Sequence, residues 1–192
     1  MAIKISGLWD EGFAIDMYSK SSKFIGEDAF GKKHFDTEYT PSGELLYSMK
    51  YNGHNDNSEA LAEICAKFIS EWLADKKVDV ILPVPPTKKR DAQPVFMIAE
   101  AVSSITGILY TNEILIKTSS EQAKIAENKD KINGSIIMLK PAKRKCNILL
   151  IDDIYNTGST ANECTRVLKN DPLIDKVYYL AIGKTRDSKG MI

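Results

Sequence analysis

Cysteine is scarce in this chain: Cys65, Cys146 and Cys164 are the only three among 192 residues, and no two form a Cys-x-x-Cys pair. That spacing argues against a disulfide framework or a structural zinc site and suits reduced core thiols. Long apolar runs are missing as well. Nothing approaches the roughly 20 residues that span a bilayer, so no membrane insertion is expected. Charge of one sign is also lacking, with 26 Lys and Arg against 26 Asp and Glu. A balanced chain has no global attraction to nucleic acid, and the local cluster Lys140, Lys143, Arg144 and Lys145 reads as a solvated loop before a strand. The first ten residues show no basic stretch followed by an apolar one, so a cytoplasmic protein is expected. No Gly-x-x-x-x-Gly-Lys occurs, which removes Walker-type nucleotide hydrolysis.

What is present is ordinary for a globular protein: 43% hydrophobic and 27% charged residues. The length suits one α/β domain with a substantial core and a small appended lobe. The division expected is an N-terminal hood or cap over residues 1–56 and a core over 57–192. The first part carries short alternating stretches and the aromatics Trp9, Phe13, Phe24, Phe30, Phe35 and Tyr39, which read as core packing before they read as a stacking platform. A short helix is predicted over 41–50. A longer one, capped by Asp56 or Asn57, is predicted to about residue 74, with Leu61, Ile64, Cys65, Phe68, Ile69, Trp72 and Leu73 on its buried face. Residues 78–84 read as a strand, followed by a helix from Pro94 to Gly107. Further extended segments are predicted at 109–116, 132–139, 147–151 and 176–182. Strands alternating with helices predict a mainly parallel sheet flanked by helices, with a polar hairpin projecting between Leu109 and Leu139.

The most informative run is Ile148-Leu149-Leu150-Ile151-Asp152-Asp153-Ile154-Tyr155-Asn156-Thr157-Gly158-Ser159-Thr160. Four apolar residues bounded by charge suit a strand covered on both faces, which leaves Asp152 and Asp153 at its carboxyl end, where open α/β sheets bind ligands. The residues that follow are small and hydroxylated and lead into a helix over 161–168. Their backbone N–H groups then stand at a helix N-terminus that favours an anion, and a phosphate fits there. A second anion-friendly stretch is Pro83-Val84-Pro85-Pro86-Thr87-Lys88-Lys89-Arg90, where cations follow a strand end. Arg90 offers a planar, bidentate donor set, and the prolines permit a cis peptide at Val84-Pro85 or Pro85-Pro86. The polar stretch from Lys117 to Asn133 has the length and composition of a closing loop.

The segment 148–160 resembles the motif by which type I phosphoribosyltransferases bind 5-phosphoribosyl pyrophosphate (PRPP). The resemblance implies a type I phosphoribosyltransferase-like α/β fold and transfer of the phosphoribosyl group from PRPP to a small-molecule nitrogenous acceptor, with release of pyrophosphate. It implies that Asp152 and Asp153 engage the ribose hydroxyls, and that Asn156, Thr157, Gly158, Ser159 and Thr160 hold the 5-phosphate. Val84, Pro85, Lys88, Lys89 and Arg90 would then meet pyrophosphate, and Lys117 and Gln122 would serve catalysis from the closing loop. Magnesium is the implied cofactor, held by PRPP oxygens and water near the two aspartates rather than by a protein cage. The order Pro83-Val84-Pro85, Arg90 with Gln93, Gln122 with Asn133 and Asp152-Asp153-Ile154-Tyr155, preceded by Leu46, Lys50 and Tyr51, resembles the ComF branch. This chain departs from that branch in lacking its N-terminal cysteine pairs. The resemblance also implies a homodimer, and only by family analogy a role in DNA processing. A second reading keeps the fold and drops catalysis, leaving a PRPP-sensing or partner-binding module.

Overall fold

The computed structural model describes residues 2–86, 90–118 and 136–186. Thr87, Lys88, Lys89, Gln122 and Asn133 lie outside them. Along the described chain come β1 (Ile3–Lys4), β2 (Glu11–Met17), β3 (Ser19–Glu27), β4 (Lys33–Tyr39), α1 (Pro41–Tyr51), α2 (Asn57–Trp72), β5 (Val80–Pro83), α3 (Pro94–Thr106), β6 (Leu109–Tyr110), β7 (Leu115–Lys117), β8 (Ile136–Met138), β9 (Cys146–Tyr155), α4 (Ser159–Lys169) and β10 (Ile174–Lys184). The central sheet has the order β1-β2-β10-β9-β5-β6. All its pairings are parallel except β1 with β2. An α/β fold with a mostly parallel sheet follows.

Both faces of this sheet are buried, which is why β9 and β10 read as nearly unbroken apolar runs. Alternation sorts their side chains. Leu149, Ile151, Tyr178, Leu180 and Ile182 join a core with Leu46, Leu61, Cys65, Ile98 and Val102 from α1, α2 and α3. Ile148, Leu150, Val177, Tyr179 and Ala181 join a second core with Trp9, Leu115, Ile136, Cys164 and Leu168, beneath α4 and the β7–β8 hairpin. Each large side chain taken wholly out of water contributes roughly 1.5–3 kcal/mol.

The strands of residues 1–56 fall in two different sheets. β1 and β2 extend the central sheet, because Phe13 has ring partners to bury against: Phe68 and Trp72 of α2 lie 5.3 and 5.1 Å away, centroid to centroid. What stands apart is the antiparallel β3–β4 hairpin, a separate two-stranded sheet. Phe24 and Phe35 pair across it, and Phe30 is 97% exposed, so the aromatics of this part do not share one role.

Helix ends follow local chemistry. The Thr40 side chain accepts from the Gly43 N–H and donates to the Met17 carbonyl, while Pro41 opens α1. At Gly43 the helix runs against β2–β3: a Cβ there would lie 1.9 Å from the Tyr18 carbonyl oxygen. Asp56 occupies the N-cap position of α2, but its side chain makes no capping bond. Ile64 is partly exposed rather than on the buried stripe. α3 starts at Pro94 and stops at Gly107, which has φ +72°. The extended segment predicted at 109–116 is split by residues 111–114 into β6 and β7, and β7 pairs with β8 as the predicted hairpin. Among the described residues no peptide bond is cis, so the expectation at Val84-Pro85 or Pro85-Pro86 is corrected.

Candidate functional site

β9 and β5 lie side by side with Pro83 opposite Ile151, and the Val84 N–H donates to the Ile151 carbonyl at 2.8 Å. The carboxyl ends of the two strands therefore open together. Between them is a cavity of about 300 Å³ lined by Lys50, Tyr51, Val84, Pro85, Pro86, Arg90, Val95, Asp152, Asp153, Ile154 and Thr160. A smaller one beside it, about 80 Å³, is lined by Asp152 and by residues 154–161. A larger cavity of about 760 Å³, near Leu73, Val78 and Ile105, sits at the opposite end of β5. Size does not mark the site here; the smaller pair holds the carboxylates.

Strand alternation sends the two aspartates to different supports. Asp153 continues the Leu149–Ile151 row and meets Lys50 at the last turn of α1, with Nζ 2.6 Å from Oδ2. Asp152 continues the Ile148–Leu150 row. Its Oδ2 accepts from the Tyr179 hydroxyl at 2.9 Å, and its Oδ1 accepts from the Asp153 N–H at 2.8 Å. Tyr179 is wholly buried and stacks on Trp9 at 4.4 Å, with Tyr155 edge-on at 6.2 Å. Burial, and then the Asp153 charge, push the Asp152 carboxyl up to about 7, against the opposing pull of the Tyr179 bond, the Asp153 N–H and Lys50. Burial first, and then the Asp152 charge, hold the Tyr179 phenol well above its ordinary value, so it stays a donor.

The loop after β9 has its own logic. Gly158 adopts φ +74° at the N-cap of α4, and a Cβ there would fall 2.7 Å from the Tyr155 ring. Only glycine satisfies both conditions without strain. The Thr157 and Ser159 hydroxyls are 2.8 Å apart, and the Asn156 carbonyl oxygen accepts from the Thr185 hydroxyl at 2.9 Å. That bond turns the Asn156 amide so that its NH₂ group is available to an oxyanion. Exposed hydroxyls, an amide and the first N–H groups of α4 thus border one small hollow, which suits a phosphate group.

Of the residues singled out from sequence, the structure brings Val84, Pro85, Arg90, Asp152 and Asp153 to one cavity and Asn156, Thr157, Gly158, Ser159 and Thr160 to its neighbour. Lys88, Lys89 and Gln122 lie outside the described residues. Lys117 ends β7 opposite Ile136 and lines neither cavity. Its charge is felt instead at the Cys164 thiol. Sequence reasoning missed Tyr179 and the ion pair of Lys50 with Asp153. The signal for Lys50 was present: a lone lysine in the apolar helix face that carries Leu46 and Met49. Among the described residues no group of three or more His, Cys, Asp or Glu side chains is placed to hold a metal. Two carboxylates are a hard-oxygen donor set that fits magnesium held mostly by a ligand's own oxygens and water.

No family model and no curated protein matches the chain. Solved structures to which it is similar include UMP synthase from Leishmania donovani, at 16% identity and a TM-score of 0.42, covering 86% of this chain and 29% of that one. Phosphoribosylpyrophosphate synthetase from Mycobacterium smegmatis is 16% identical at a TM-score of 0.41, covering 65% and 33%. Adenine phosphoribosyltransferase from Saccharomyces cerevisiae is 11% identical at 0.45, covering 86% and 93%. The chain spans about a third or less of the first two proteins.

Proposed function

We propose that this chain is a type I phosphoribosyltransferase-like protein that binds PRPP and transfers its phosphoribosyl group to a nitrogenous acceptor. One observation carries the reading: an acidic pair at the end of a parallel strand faces a basic-edged cavity on one side and a phosphate-sized, hydroxyl-lined helix N-terminus on the other. That is the charge pattern of a sugar with an anion at each end. Residues 156–160 take the 5-phosphate, Asp152 and Asp153 take the ribose hydroxyls, and the loop at Val84, Pro85 and Arg90, with Lys88 and Lys89 next to it, takes pyrophosphate.

In the reaction the acceptor nitrogen forms its bond to the anomeric carbon as the bond to the pyrophosphate oxygen breaks, through an oxocarbenium-like state. The proton lost by the acceptor needs a base. Asp152, with its raised proton affinity, suits that role, while Asp153 stays paired to Lys50 and orients the sugar. Magnesium bound by PRPP near the two aspartates would neutralise the departing pyrophosphate. The β3–β4 hairpin serves as the hood that limits the acceptor, and the segment after Lys117 as the closing loop. Motif order favours the ComF-like branch. The reading without catalysis, a PRPP-sensing module, is favoured by the position of Lys117 away from both cavities. Calorimetric titration of PRPP with magnesium into the wild type and into Asp152→Asn/Asp153→Asn tests the site, and pyrophosphate release with a panel of nitrogenous acceptors separates transferase from sensor. Absence of wild-type binding would overturn both.

A further inference from the structure

Lys50 is an unusual lysine. Its side chain is 9% exposed, its ammonium lies 2.6 Å from Asp153 Oδ2, and both residues line the 300 Å³ cavity. Lysines are rarely this buried without a paired role, because withdrawing an ammonium from water costs several kcal/mol. Holding α1 in place does not explain it. Leu46 and Met49 bury α1 against the sheet, the Thr40 cap fixes its start, and Gly43 sits directly on the Tyr18 backbone. An apolar pair would serve packing equally well. The ion pair sits at the cavity wall. No protein metal cage exists among the described residues to neutralise that carboxylate.

We propose that Lys50 is a built-in cation of the site, neutralising Asp153 so that a phosphorylated pentose enters without first requiring a metal ion there. The inference rests on the PRPP reading and adds to it that part of the cation requirement is met by the chain itself. A lysine differs from magnesium in being a donor only, with three N–H bonds and no preferred coordination number. One of those bonds serves Asp153, and the others can reach hydroxyl or pyrophosphate oxygens in the same cavity.

The test is calorimetric titration of PRPP into the full chain in magnesium and in EDTA, for the wild type, Lys50→Met and Lys50→Arg, with folding followed by circular dichroism. Expected for the wild type is a loss of less than about tenfold on passing from magnesium to EDTA, since one buried cation remains beside the anion. Lys50→Met is expected to bind about tenfold more weakly than wild type in magnesium and to lose more than about a further thirtyfold on passing to EDTA, and Lys50→Arg to restore most of the EDTA binding. Equal weakening of Lys50→Met in both buffers would make Lys50 a structural residue and overturn the inference. So would loss of all wild-type binding in EDTA, a result that stands even if Lys50→Met does not fold. Failure of the wild type to bind PRPP in magnesium would instead overturn the PRPP reading itself.

Discussion

Asp152→Asn should make the protein more stable, and increasingly so as the pH rises. The wild-type carboxyl moves from an ordinary 3.8 to about 7 on folding, chiefly through burial and secondly through Asp153. A carboxyl raised in this way favours the folded state below its unfolded pKa, and that advantage is lost as the pH climbs through the folded value. Each pH unit between the two costs about 1.4 kcal/mol, so the full cost above both is about 4 kcal/mol. Asparagine never ionises. It also keeps the local bonds: its carbonyl accepts from the Asp153 N–H, and its NH₂ donates to the Tyr179 oxygen, which can accept as well as donate. The advantage of the variant should therefore grow by about 3 kcal/mol between about pH 4.5 and about pH 8. At about 2–4 °C per kcal/mol for a chain of this size, the gap in Tm should widen by roughly 6–12 °C. The assay is thermal unfolding of both proteins across that range in EDTA, followed by circular dichroism. A gap that stays constant with pH would refute the reasoning, because it would mean that Asp152 pays no ionisation cost on folding.

Gly158→Ala should cost about 1–3 kcal/mol, since the new Cβ meets the Tyr155 ring in a left-handed backbone; urea unfolding reads the loss, and ribose 5-phosphate titration should show weakened binding. Gly43→Ala should cost more than Gly53→Ala, because the first drives a Cβ onto the Tyr18 carbonyl whereas the second meets nothing within 4 Å and bears only its positive φ; equal urea midpoints would sink this. Tyr179→Phe removes the donor to Asp152, and its cost should rise from about 1 kcal/mol near pH 5 to about 2–3 above pH 8, where the carboxylate it serves is charged. Parallel stability curves for wild type and Tyr179→Phe would show that the bond is indifferent to that charge.

The parts legible in the sequence were those set by local rules. The β9 run announces itself because a strand buried on both faces admits no polar residue from Ile148 until it reaches the crevice at Asp152. α3 is bracketed by Pro94 and Gly107, whose backbone preferences are intrinsic. The loop at 156–160 is legible for the same reason: small hydroxylated residues and one glycine before a helix leave few other conformations. The place of β2 was not legible because it joins the sheet beside β10, over 150 residues later in the chain. Nothing local reports such a pairing; only the partners of Phe13 do. Tyr179 escaped notice because it sits within an apolar run, Tyr178 to Ile182, and a tyrosine there reads as packing until its hydroxyl is seen against Asp152.

Adjacent acids at a strand end look redundant in sequence, yet the geometry separates them. Side chains that are neighbours in a strand point to opposite faces, so Asp152 is governed by the core under α4 and Asp153 by the core under α1. One face supplies a neutral donor, Tyr179, within an aromatic enclosure; the other supplies a cation, Lys50. The first support leaves a carboxyl that holds its proton near neutrality, and the second leaves one locked in an ion pair. Two identical residues thereby acquire different partners without any difference in their own chemistry. If the two supports are what distinguish the acids, exchanging them should matter more than removing either acid. Placing the cation on the other face, with Lys50→Met combined with Tyr179→Lys, should lower the pH at which Asp152 ionises and shrink, without removing, the rise in the Asp152→Asn stability gap described above, since burial remains. An undiminished rise in this background would show that burial alone, and not the identity of the partner, sets the acid apart.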